Sequence, residues 1–112
     1  MEKTDFEWYR KTGMPVFGYN SQAYGFFYRP DSENGASPEN AEILRRFKKV
    51  CAENRLKAGE CLFAFYAGCG IRDIPIVSTL NPEHLREIIE NSGKTLDSEA
   101  VNYLLEARFG TK

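Results

Sequence analysis

Two short stretches gather small hydrogen-bonding side chains: Tyr19, Asn20, Ser21 and Gln22 in one, Ser78, Thr79 and Asn81 in the other. Each follows a run that is apolar almost throughout, Met14 to Tyr19 and Ile74 to Val77. Apolar runs without alternation are the pattern of parallel strands covered on both faces. In parallel α/β folds, chemistry gathers at the C-terminal ends of strands and in the loops that follow. The second stretch also leads straight into a helix start, with Asn81 as cap and Pro82 and Glu83 in the first turn. Exposed N–H groups and the helix dipole favour an anion such as phosphate there. Read locally, the same residues serve equally well as ordinary caps.

The elements that must position these stretches follow from spacing. Asp5 to Thr12 reads as a short helix anchored by Phe6, Trp8 and Tyr9 and closed by Gly13. The segment from Asn20 to Pro38 is a long Gly-, Ser-, Asn- and Pro-rich loop, broken by the aromatics Tyr24, Phe26, Phe27 and Tyr28. Those aromatics either line a pocket for an apolar substrate or pin the loop onto the fold. Ser37 caps a helix whose buried stripe is Ile43, Leu44, Phe47, Val50 and Cys51, with Arg45, Arg46, Lys48 and Lys49 mostly opposite. Cys61 to Ala67 is apolar all round and predicts a deeply buried helix. After the second strand, Asn81 caps a helix with Leu85, Ile88 and Ile89 inward and Gly93 beyond its end. A final helix starts at Asp97 and buries Val101, Leu104 and Leu105.

Strands alternating with helices argue for an α/β fold with a parallel sheet of right-handed crossovers. Two strands alone make a poor sheet with unpaired edges. The chain therefore reads as part of something larger, or as one that assembles with another copy.

Composition narrows the function classes. The 112 residues suit one domain, and 42% hydrophobic with 13% aromatic residues is too rich for a disordered chain. Fifteen basic and sixteen acidic residues are interspersed and sum to −1, which lacks the basic stripe that nucleic acid or an anionic membrane requires. The start is too polar for a signal peptide, and no apolar run approaches the ~18 residues of a membrane span, so a cytoplasmic protein is expected. Cys51, Cys61 and Cys69 form no CxxC pair, and His84 is the single histidine, so reduced, buried thiols are expected and a metal cluster is not.

MPVFGYNSQAYGFF resembles the seventh-strand segment of aldo/keto reductases, and IPIVSTLNPEHLREI their eighth strand and following helix. KAGECLFAFYA stands where that family has a Thr-Pro-Ala-Gln run entering an apolar helix. The resemblance covers about Phe6 to Leu105. It implies a partial (β/α)8 TIM barrel, with two parallel strands and about five helices over residues 1–112, and NAD(P)H-dependent carbonyl reduction or alcohol oxidation by the complete barrel.

Carried over by resemblance, Tyr19 is the aromatic ring stacked on the nicotinamide, although an apolar strand end can also place a tyrosine in the core. Asn20, Ser21 and Gln22 lie by the pyrophosphate and Gly25 at the turn beneath it. Ser78 and Thr79 lie near the adenosine phosphate, and His84 and Glu87 beside the adenine. Ser78 replaces a family Lys or Arg at the ribose 2′-phosphate, so NADP and NAD both stay open as cofactor. Ile88 replaces an adenine-contacting asparagine, and Lys57 a capping threonine.

The family's catalytic Tyr, Lys, Asp and His come from the first half of the barrel and have no counterpart here. The implied partners are a nicotinamide cofactor and a small carbonyl substrate in the complete barrel, with an N-terminal half-barrel supplying the catalytic wall. The isolated chain is then expected to be inactive and to bind NADPH weakly or below detection. The competing reading is a non-catalytic half-barrel binding or structural module that self-associates to cover its strand edges.

Overall fold

The computed structural model describes residues 1–18, 26–29, 31–75 and 81–110. Helix α1 (Lys3–Thr12) starts slightly before Asp5, because the Asp5 carboxylate accepts from the Glu2 amide at 3.3 Å and closes the first turn from inside. It ends at Gly13, whose φ of 70° is left-handed and whose N–H donates to the Tyr9 carbonyl at 3.0 Å. Of the three expected anchors Phe6 is buried, Tyr9 half-buried and Trp8 50% exposed. Two helical residues subtend about 200°, so Trp8 points away from the face that buries Phe6.

Strands β1 (Val16–Gly18) and β2 (Asp73–Pro75) pair in parallel, with Val16 opposite Asp73, Phe17 opposite Ile74 and Gly18 opposite Pro75. Between them lie α2 (Pro38–Asn54) and α3 (Ala58–Gly68); α4 (Pro82–Asn91) and α5 (Ser98–Phe109) follow. The described chain is thus mixed α/β, mostly helical, with two parallel strands, in the element order expected from sequence.

The caps explain the boundaries. Ser37 Oγ accepts from the Asn40 amide at 3.1 Å with Pro38 opening α2. The Lys57 amide donates to the Glu60 carboxylate at 2.9 Å, and Asp97 accepts from the Ala100 amide at 2.8 Å. Between α2 and α3 the chain turns through Arg55 in left-handed geometry, φ 54°.

The core forms where α2, α3 and α5 meet. Phe47, Val50, Cys61, Leu62 and Leu104 are buried together, and Phe6, Cys69 and Val101 form a second cluster under α1. From the long loop, Phe27 sets its ring 4.5 Å from that of Phe47, so this aromatic pins the loop to the core. Arg46 departs from the expected solvent face. It is drawn in between α2 and α5, donating to Glu42 at 2.9 Å and to the Tyr103 carbonyl at 2.8 Å, with its guanidinium over the Tyr103 ring.

Two expectations about burial are corrected. The strands were expected to be covered on both faces, yet Phe17 is 62% and Ile74 45% exposed, because the helices pack on the side that carries Val16 and Asp73. Likewise Leu85 and Ile89 of α4 do not face inward but are exposed, because α4 rests on α3 without a second neighbour over its apolar stripe among the described residues.

Candidate functional site

Gly18 stands beside Pro75 in the parallel register, so the chain leaves both strands at one end of the sheet. That end is where the expected cofactor residues begin. Tyr19, Asn20, Ser21, Gln22, Gly25, Ser78 and Thr79 lie outside the described residues, as does the side chain of His84. The described part of the site is the end of the two strands and the start of α4, including Glu87, which is exposed.

The start of α4 is already well supplied with partners. Pro82 has no N–H, the Glu83 amide donates to Asn81 Oδ1 at 2.9 Å, and the Leu85 amide donates to the Asn81 carbonyl at 3.1 Å. Glu83 adds a carboxylate in the first turn, offset by Arg86 at 3.4 Å, and Glu87 follows one turn later. Both ends of that ion pair are exposed, so it is weak. A phosphate at this helix start would therefore rely on residues preceding Asn81 more than on the first-turn amides.

On the helix-facing side of the sheet the structure brings together a pair that the sequence did not signal. A cavity of about 610 Å³ opens between the helix-facing side of the sheet and the helices, lined by Phe6, Val16, Phe65, Tyr66 and Asp73 among others. Asp73 Oδ1 is buried without a hydrogen-bond partner, and burial pushes its carboxyl up from the ordinary range. Tyr66 is pushed up to about 12, first by burial and then by the Asp73 and Tyr28 charges. Burial thus disfavours the ionised form of both groups. The Asp73 carboxylate that lines this cavity reaches along the sheet to Gly18, the last residue of β1.

The cysteines are free; Cys61 and Cys69 are buried as expected, whereas Cys51 is half-buried. Reading them as three independent hydrophobes missed a relationship. Cys51 packs on the cluster that buries Cys61, and the interaction of the two thiols lowers Cys51 and raises Cys61, while burial raises Cys69. The signal lay in the pattern, since Cys51 ends the buried stripe of one helix and Cys61 begins the buried face of the next. Among the described residues no cluster of His, Cys, Asp and Glu could hold a metal ion, and no helix is long and apolar enough to cross a membrane.

No known protein family model matches the chain, and no curated protein matches it.

Proposed function

We propose that the chain is the C-terminal part of an aldo/keto reductase, the last two strand–helix units of a (β/α)8 barrel, and that residues 19–25 and 78–87 form one wall of an NADP or NAD site. The observation that carries this reading is the pairing of Phe17 with Ile74, two apolar side chains exposed on the helix-free face of a parallel pair. A barrel has its strands' second face turned inward, packed by side chains from other strands. In this reading Phe17 and Ile74 belong to that interior, and the exposed Leu85 and Ile89 of α4 await a neighbouring unit. The intervening pair of packed helices, α2 and α3, supports the same assignment.

In the complete barrel Tyr19 would hold the nicotinamide, Asn20, Ser21 and Gln22 the pyrophosphate, and the α4 side the adenosine end, as the resemblance implies. A nicotinamide cofactor held there would supply hydride for a small carbonyl compound, and the proton would have to come from the first half of the barrel. Alone, this chain carries binding groups and no turnover.

The exposed Phe17–Ile74 face equally favours a second reading, a non-catalytic module that covers the face with another copy of itself. Sedimentation of the isolated chain separates the two. A stable symmetric oligomer supports the module, and a monomer or an aggregating chain supports the incomplete barrel.

A further inference from the structure

The cavity of about 610 Å³ on the helix-facing side of the sheet has walls that are mostly aromatic and aliphatic, with Phe6 from α1, Val16 from β1 and Phe65 from α3 among them. Phe27 closes part of the wall, and its ring lies 4.5 Å from that of Phe47, so the long loop contributes to the enclosure. Sites for small molecules commonly measure about 300–1,000 Å³ and pair apolar walls with a few polar groups that fix orientation. This cavity has that size and that make-up.

Asp73 supplies the one carboxylate among the described lining residues. Its Oδ1 is buried with no hydrogen-bond partner, and among the described residues no basic side chain pairs with it. Buried polar groups in folded proteins are almost always satisfied, so an orphaned carboxylate oxygen beside an apolar cavity points to a partner that enters from outside. Gly18 leaves room for the group, since a Cβ there would lie 2.7 Å from Oδ1. The carboxylate turns over a broad well about its last side-chain bond, which lets either oxygen meet a donor in the cavity. Arg108 also lines the cavity, but its guanidinium is already engaged by the Met1 carbonyl at 3.1 Å and by the Glu39 carboxylate at 3.7 Å. The unmet demand is therefore for a cationic donor and not for an anion.

We propose that this cavity is a binding site for a small apolar primary amine, whose ammonium meets the Asp73 carboxylate while its hydrocarbon part lies among Val16, Phe6 and Phe65. An ammonium brings both the missing hydrogen bond and the missing counter-charge, and the aromatic walls favour it further through their ring faces. The site stands apart from the barrel reading, because none of its walls belongs to residues 19–25 or 78–87.

The test titrates the full-length chain in phosphate buffer with 2-phenylethylamine, and separately with its neutral and anionic counterparts 2-phenylethanol and 3-phenylpropanoate, by calorimetry and by amide NMR shifts. The amine is expected to bind with Kd below about 1 mM, at least about tenfold tighter than the alcohol, with the carboxylate weakest. The amides that shift should cluster at Val16, Phe65 and Asp73. In D73N the walls remain and the preference of amine over alcohol should fall to near one. Absence of amine binding, equal affinity for amine and alcohol, tighter binding of the carboxylate, shifts confined to other surfaces, or an undiminished preference in D73N would each overturn the proposal. The selectivity of the wild-type chain decides the question even where the variant fails to fold.

Discussion

Phe17 stands directly opposite Ile74 in the parallel register of β1 and β2, and both side chains are exposed on the face that the helices leave bare. An apolar pair in the middle of a sheet is exposed for a reason, because strand edges and apolar faces left open invite association. Phe17→Asp is expected to leave the isolated fold within about 0.5 kcal/mol of wild type, as an exposed substitution does. It should abolish association through this face, with the half-barrel or with a second copy. Sedimentation of wild type and variant, with chemical denaturation as the folding control, reads both effects. A variant that unfolds would mean that Phe17 is core after all.

Asp73 places a carboxyl oxygen in a dry position without a partner, and its folded-state affinity for a proton is raised. The folded chain thus holds that proton more tightly than the unfolded chain. The corresponding stabilisation is complete below the ordinary carboxylate value of 3.8 and is lost as pH rises through the folded-state value. Asp73→Asn should raise the melting temperature at neutral pH, by no more than about 1 kcal/mol in stability for a partly buried group. The gain should shrink to nothing as pH falls below 3.8. Thermal melts across pH check the direction, and an equal gain at every pH would refute it.

Gly18 is kept bare by the same carboxylate. A Cβ at position 18 would sit 2.7 Å from Asp73 Oδ1, closer than real contacts allow. Gly18→Ala is predicted to destabilise by no more than about 1 kcal/mol, because the atom in the way is the end of the Asp73 side chain, which can turn aside. In an Asp73→Ala background most of that loss should disappear, so a double-mutant cycle by urea denaturation should give a coupling above about 0.5 kcal/mol. Additive effects would show that the two residues do not press on each other.

Glu42 is held down to about 2 by hydrogen bonds from Arg45 first and Arg46 second. Its folded-state affinity for a proton is lowered, so its contribution is present above the ordinary value of 4.5 and is lost as pH falls toward 2. Glu42 is open to solvent, so the effect is small at neutral pH. Glu42→Gln should flatten the acid side of the melting curve between those values, most clearly at low salt. An unchanged acid limb would mean that the fork to Arg45 and Arg46 does not persist in solution.

Much of the architecture was legible because the punctuation is local. Ser37, Asn81 and Asp97 cap their helices as their types require, Gly13 ends α1, and the apolar stripe of α2 buries Leu44, Phe47 and Val50. What a single chain does not encode locally is what lies across from a surface. The runs around Phe17 and Ile74 look like strands buried on both sides, yet no described element covers their second face. Leu85 and Ile89 misled for the same reason. Arg46 was placed outward by helical spacing, but its long side chain bends back to Tyr103, a contact made across 57 positions of sequence.

The most direct test of the barrel reading is carbonyl-dependent oxidation of NADPH when this chain is mixed with the N-terminal six strand–helix units of an aldo/keto reductase that carry the Tyr, Lys, Asp and His set. Turnover is expected in the mixture, none from this chain alone, and none when Phe17→Asp replaces wild type. A mixture that oxidises NADPH no faster than the N-terminal units by themselves would contradict it.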